Sequence, residues 1–253
     1  MLGIAVGCHV RAANEPTGSG HPCGPDHIAR IAYDLAGGSG EVFFDFELPP
    51  SRGLGFSAAA RAAGAVLAFL EQGHDIAESQ ARGYEIVLQL EGHGDNAAPA
   101  VFGGLHVIAG GENHRLQASL PGQLLLWVPE LDTTPTDESR AKMSATVTRA
   151  DAVFNLGRVG LLIAALYEND ASLLRRATED RIHQPERLAA APQTGQAMNA
   201  ALNAGASAAW LSGSGPTVAM VVDPEVCQVV SAALPSTGRV LVADLDILGA
   251  VPV

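Results

Sequence analysis

Larger apolar residues alternate with small or polar ones from Leu2 to Arg11, which reads as a strand, and the turn-rich stretch from Glu15 to Pro25 reads as a loop. Ile28 to Leu35 has helical spacing behind Asp26 as its cap, and Gly37-Gly38-Ser39-Gly40 ends that helix. Glu41 to Leu48 alternates again and predicts a strand. A long Ala-rich helix follows from Ser57 to about Leu70, and a second helix from Asp75 to Leu90. The polar 91–96 segment reads as a loop, and Ala97 to Phe102 as a helical turn stopped by Gly103-Gly104. Leu105–Ala109 and His114–Ser119 are short strand candidates, and Leu124–Val128 is an apolar strand near a domain boundary. Beyond Pro129 the spacing predicts helices at 136–145, 148–168, 171–178 and 195–204. Strands Ala208–Ser212 and Val218–Val222 then flank a Gly-Ser-Gly-Pro turn, Pro224–Leu234 reads as a helix and Arg239–Asp244 as a last strand. Strands and helices mix without regular strand–helix–strand alternation, and no repeat of 20 to 50 residues stands out, so the expected class is α+β.

The chain has 253 residues, which suits one catalytic unit of one or two subdomains with a core that needs no disulfide or metal staple. Hydrophobic residues make up 47% of it, yet no apolar run reaches the roughly 18 to 20 residues of a membrane span. The N-terminus has no basic stretch ahead of an apolar one, so the expected location is cytoplasmic, with no membrane partner. Cys8, Cys23 and Cys227 lack metal or disulfide spacing and read as buried free thiols. The net charge of −12, with Lys142 the only lysine, argues against a nucleic-acid surface, which needs many cations to displace counterions. Partners should be small molecules. An anionic group on one of them must be met by arginine, backbone amides or a metal.

The chemistry concentrates in Pro49-Pro50-Ser51-Arg52-Gly53-Leu54-Gly55-Phe56-Ser57-Ala58-Ala59-Ala60, a glycine-rich turn joined directly to helix-forming residues. Gly53 and Gly55 let the backbone bend tightly and approach a ligand, and the Ala-rich helix presents unpaired amides and its positive end to an anion such as nucleotide phosphate. The same pattern suits an ordinary strand-to-helix turn, and the turn alone does not separate the two readings.

The Gly-Leu-Gly-x-Ser-Ala-Ala core resembles the second signature of the GHMP small-molecule kinases. Two further segments match in order. Glu91-Gly92-His93-Gly94-Asp95-Asn96-Ala97-Ala98-Pro99-Ala100 is similar to a homoserine kinase segment, and Leu211-Ser212-Gly213-Ser214-Gly215-Pro216-Thr217 to the family's third, glycine-rich signature. Between them Thr136-x-x-x-Arg140, Asp151 to Arg158 and Asp180 to Arg187 also resemble homoserine kinases, so the likeness covers nearly the whole chain.

The resemblance implies an N-terminal domain like the second domain of ribosomal protein S5 over 1–122 and a ferredoxin-like C-terminal domain over 123–253. It implies ATP-dependent phosphorylation of L-homoserine in threonine biosynthesis. Pro49, Pro50, Ser51, Arg52, Gly53, Leu54, Gly55, Phe56, Ser57, Ala58 and Ala59 would then hold ATP, with the third motif at Gly213, Ser214 and Gly215. Ser57 and Glu91 would hold Mg2+, and Glu91 and Asn96 would stand at the reacting groups. His93, Thr136, Arg140 and Arg187 would bind homoserine, whose carboxylate calls for guanidinium groups. Asp95 is a weaker candidate for a general base.

Three positions depart from the family pattern. The first signature is not found ahead of Met1-Leu2-Gly3-Ile4-Ala5-Val6, so a first domain truncated at its start and of weak activity is expected. Phe56 replaces the first signature serine, and His27 stands where an asparagine helps to hold adenine. A kinase for another small hydroxylated metabolite and a non-catalytic paralogue remain as alternative readings. A homodimer also stays open.

Overall fold

A computed structural model of the chain describes residues 2–4 (backbone alone), 10–15, 19–130 and 144–252. The chain divides into two compact units: Met1–Pro50 with Gly55–Leu116 and Leu245–Val253, and Ser51–Leu54 with Gln117–Asp244. Strands and helices mix in both, the α+β class expected from the sequence pattern.

In the first unit, β1 (Leu2–Ile4), β5 (Leu105–Ala109) and β6 (Glu112–Leu116) form an antiparallel sheet in the order β1-β5-β6. A second antiparallel sheet has β4 (Phe43–Phe46) between β2 (Val10–Ala13) and β3 (His21–Pro22). Helices α1 (Ile28–Leu35), α2 (Phe56–Glu71), α3 (Ile76–Glu91) and α4 (Gly94–Phe102) complete it. The cap of α1 is His27, whose ring accepts from the Ala29 amide at 3.3 Å, and not Asp26 as expected. A carboxylate one residue earlier is out of step with the first free amides of the helix. Asp75 does cap α3, accepting from the Glu78 amide at 2.8 Å.

The Ala-rich run makes α2 thin enough to sit at the centre of this unit. Its Ala58 and Ala62 pack with Val87, Ala97 and Val101, while Ala65, Ala68 and Phe69 pack with Ala32, Tyr33 and Val42. Gly64 marks the closest approach: a Cβ there would lie 2.0 Å from the Ala29 carbonyl oxygen, so any larger residue would push α1 away.

In the second unit the strands β7 (Gln123–Pro129), β8 (Ala208–Leu211), β9 (Val218–Val222) and β10 (Gly238–Ala243) form one antiparallel sheet in the order β10-β7-β9-β8. Helices α5 (Arg149–Glu168), α6 (Leu174–Ala177), α7 (Gln184–Ala190) and α8 (Pro192–Asn203) lie between β7 and β8, and α9 (Cys227–Ala233) between β9 and β10. That strand order and connectivity are ferredoxin-like, as the resemblance implies for this half. Strand alternation sends neighbouring residues to different clusters. Leu125, Met220 and Ala209, in register across three strands, pack with Ala197, Ala201 and Val230. Val221 and Ala208 pack instead with Ala165 and Leu174.

Some expectations shift. The 91–96 loop is shorter than its polarity suggested, because α4 already begins at Gly94, and α7 was not foreseen behind its polar, proline-containing start. The helix expected at 171–178 is a 3-10 turn, Ala171–Leu173, followed by α6. The helix expected at 136–145 lies, but for its last two residues, outside the described residues, as does Cys8; Cys23 and Cys227 are half-buried free thiols. No membrane-length apolar run was expected, but α5 is long and apolar enough by length and composition. Its mid-helix Arg158 pairs with Glu179 at 2.6 Å and stacks on Phe154, and its last turn buries Ala165 and Leu166. Val153, Leu156 and Val159 along it are exposed.

Candidate active site

The loop that leads into α2 turns through three residues of positive φ, Ser51 (56°), Gly53 (74°) and Gly55 (73°). Gly55 takes the cap position of α2 without a side chain, so no cap side chain accepts from the first helical amides. Uncapped first amides and the positive end of a helix dipole are features that favour an anion. A Cβ on Gly55 would stand 3.6 Å from Asn96 Oδ1, which places Asn96 at the end of the loop.

Residues 51–54 group with the second unit, and there Gly53 has no room for a side chain. A Cβ at Gly53 would lie 2.3 Å from the Ser212 carbonyl oxygen and 2.8 Å from that of Gly215. The Ser212 hydroxyl donates to the Gly53 carbonyl at 2.8 Å, and Arg52 donates to the Glu130 carbonyl at 3.0 Å. The two glycine-rich motifs, 159 residues apart in sequence, are thus backbone-to-backbone neighbours. Gly213 and Gly215 both have positive φ, and the Gly215 amide closes the turn on the Ser212 carbonyl at 2.8 Å.

At the start of α2, the Ser57 hydroxyl donates to Glu91 Oε1, at the last residue of α3. Arg61, one turn along α2, donates to Ser57 Oγ at 3.0 Å and also to Glu91 Oε1. The Glu91 side chain is only 9% exposed and that of Arg61 20%, so the ion pair is largely shielded from water. A hydroxyl and a carboxylate oxygen in contact are a partial donor set for Mg2+, which takes its remaining ligands from water and phosphate. The guanidinium already held there shows that this pair accepts a cation. Among the described residues no group of three or more His, Cys, Asp or Glu offers a fuller protein cage.

Just beyond, His93 and Asp95 flank the start of α4, with His93 Nδ1 2.6 Å from Asp95 Oδ1. Two of the departures from the family pattern, His27 and Phe56, sit in one aromatic cluster. His27 lies 4.7 Å from Phe44, and Phe56 meets Phe46 edge-on at 5.3 Å. Burial pushes the His27 imidazole down and the neighbouring Cys23 thiol up.

In the second unit, Asp180 organises the approach to Arg187. Its Oδ2 accepts from the amides of Ile182 (3.1 Å), His183 (2.7 Å) and Gln184 (2.7 Å), starting α7. Its Oδ1 accepts from Asn155 Nδ2, and Asn155 Oδ1 accepts from the Arg181 amide at 3.0 Å. Gln184 Oε1 then accepts from the Leu211 amide at 2.7 Å, and Arg187 donates to the Gly213 carbonyl at 2.9 Å. So α7 is fastened to the third motif by one neutral and one cationic side chain.

Within the first unit Ser57, Glu91, His93, Asp95 and Asn96 come from one helix start and one inter-helix turn. In the second, Arg52, Gly53, Arg187 and Gly213–Gly215 come together. Thr136 and Arg140 lie outside the described residues. Arg61, Asp180 and Gln184 were missed by sequence reasoning. Arg61 carried a signal, since it stands four residues after Ser57 on the same helix face. Asp180 carried only the weaker signal of an acid ahead of a helix.

Family models match on both sides of the chain: the GHMP kinases N-terminal domain over residues 26–104, and the GHMP kinases C-terminal domain over 162–239. The homoserine kinase of Desulfitobacterium hafniense is 36% identical over 191 residues, which cover 74% of this chain and 63% of that protein. The homoserine kinase of Thermus thermophilus is 34% identical, with 95% of this chain and 89% of that protein covered. Among solved structures, the homoserine kinase of Cytophaga hutchinsonii superposes with a TM-score of 0.81 at 24% identity, covering 98% of this chain and 90% of that one. The Methanococcus jannaschii mevalonate kinase gives 0.65 at 15% identity, covering 86% and 73%. At those identities the structural matches speak for the fold.

Proposed function

The chain belongs to the GHMP kinases and within them to the homoserine kinases, and from that premise we propose that it transfers the γ-phosphoryl group of ATP to the side-chain hydroxyl of L-homoserine, giving O-phospho-L-homoserine. The product belongs to threonine biosynthesis, and a cytoplasmic location follows the ATP supply. The observation that carries the reading is the loop of positive-φ residues Ser51, Gly53 and Gly55 opening directly onto α2. Phosphoryl transfer asks the protein mainly for position and charge, with little covalent work. Residues 51–59, led in by Pro49 and Pro50, supply backbone amides for the triphosphate, and the third motif of Gly213, Ser214 and Gly215 lies against Gly53.

Ser57 Oγ and Glu91 would hold Mg2+, which would supply positive charge against the phosphates. Asn96, beside Gly55, orients the hydroxyl that is to be phosphorylated. Arg187, Arg140 and Thr136 are assigned to the homoserine carboxylate, and His93, its ring held by Asp95, to the same substrate. With His93 Nδ1 2.6 Å from its Oδ1, Asp95 serves to hold that ring, and proton removal is left to orientation and charge.

The test is ADP release on mixing ATP with L-homoserine, with the phosphorylated product identified by mass. Homoserine-dependent release supports the reading. Release that requires a different hydroxylated metabolite would leave a small-molecule kinase of other specificity, and no release with any substrate would leave a nucleotide-binding paralogue.

A further inference from the structure

The Arg61 guanidinium occupies the place that the proposed function gives to a metal. It donates to Ser57 Oγ at 3.0 Å and to Glu91 Oε1, the two oxygens that would face Mg2+. This position is not where an isolated helix would put an arginine. Side chains on a helix lean toward its N-terminus, so Arg61 reaches back over the first turn of α2, where the helix dipole is positive and repels a cation. What holds it is Glu91, presented by the end of α3 and only 9% exposed at the side chain. Glu91 in turn has no other cation within ion-pair distance among the described residues.

We propose that Arg61 is a tethered cation that guards the Ser57–Glu91 pair, keeping free Mg2+ out of it until nucleotide arrives. The inference rests on the metal role given to Ser57 and Glu91 above. A divalent ion entering alone must break charge-assisted hydrogen bonds from Arg61 and leave the guanidinium facing a second positive charge. Nucleotide changes that balance. A triphosphate at the start of α2 brings enough negative charge to receive both cations, so Arg61 can turn from Glu91 to a phosphate oxygen as the metal takes its place. The metal therefore enters with the nucleotide and not before it.

The experiment uses Mn2+ as the probe, titrated against nucleotide-free protein and followed by electron paramagnetic resonance of the free ion. Wild type should show no tight Mn2+ site. Arg61→Met should expose one that binds about 10- to 100-fold more tightly, the ratio expected when a charge-assisted hydrogen bond no longer has to be broken. Glu91→Gln in the Arg61→Met background should remove that site again. If Arg61→Met does not fold by circular dichroism, Arg61→Gln, which keeps a polar stem, takes its place. A tight nucleotide-free Mn2+ site in the wild type that Glu91→Gln abolishes would overturn the inference without any Arg61 variant. So would equal Mn2+ binding by wild type and the Arg61 variant, whether strong or absent. Homoserine phosphorylation by the wild type separates the two levels: kinase activity with unaltered Mn2+ binding sinks the guard alone, whereas no activity sinks the functional reading.

Discussion

Replacing Asp180 by alanine should cost both stability and homoserine affinity, because this one carboxylate starts the helix that carries Arg187. It accepts three consecutive amides, those of Ile182, His183 and Gln184, and one side-chain amide, that of Asn155. Its side chain is 9% exposed, so water replaces few of these bonds in the alanine variant. Losing a helix cap costs about 0.5–2 kcal/mol, and hydrogen bonds to a charged group contribute about 1.5–3 kcal/mol each, not additively within one network. The expected loss is about 2–4 kcal/mol.

The pH dependence gives the loss a sign. Burial pushes the Asp180 carboxyl up, but the bonds from the Gln184 amide, Asn155 and the His183 amide outweigh it, and the carboxyl is held below its ordinary 3.8. The unfolded chain therefore binds this proton more readily. The stabilisation is present in full above about 3.8 and is lost as pH falls through the lower folded-state value. Urea unfolding at pH 7 and again near pH 3 should show the gap between wild type and Asp180→Ala shrinking in acid. Kinetics should show a raised KM for homoserine with a smaller change in the KM for ATP, since α7 and its Arg187 lose their anchor. A variant that unfolds within about 0.5 kcal/mol of the wild type at pH 7, or a gap that widens in acid, would refute the reasoning.

Gly53→Ala should raise the KM for ATP at least tenfold, because its Cβ would meet the Ser212 carbonyl at 2.3 Å and its φ of 74° disfavours any side chain, together costing about 2–4 kcal/mol; an unchanged KM would show that the loop has another resting place. Glu91→Gln should keep its circular dichroism spectrum but lose about 100- to 1000-fold in kcat, as when one electrostatic contact to the transition state is removed, and turnover equal to wild type would end its metal assignment. Arg187→Ala should weaken homoserine use by about 1.5–3 kcal/mol in kcat/KM, with lysine recovering only part because it lacks the two-pronged donor geometry; a wild type that prefers the carboxylate-free amino alcohol would discard the amino-acid specificity.

Local pattern was enough for the elements whose signals are local. The glycine-rich turn before an alanine run announced α2 and its open N-terminus, Asp75 announced the start of α3, and the continuous apolar run Val218–Val222 announced β9. Resemblance between short motifs then pointed to the chemistry. Where two local signals competed, the pattern misled: Gly94, Asp95 and Asn96, in the 91–96 stretch read as loop, open α4, whose apolar Ala97 and Val101 pack with Ala58, Ala62 and Val87. What only the tertiary structure decided were the partners. Nothing near Arg61 in the chain says that Glu91, 30 residues away, will hold its guanidinium against the helix dipole, and nothing near Gly53 says that Ser212 leaves it no room for a Cβ. The strand order β10-β7-β9-β8 and the grouping of Leu245–Val253 with the first unit are of the same kind. Periodicity records which face of an element is apolar, whereas ion pairs, close backbone approaches and sheet order depend on which elements meet, and that is set by the packing of the whole unit.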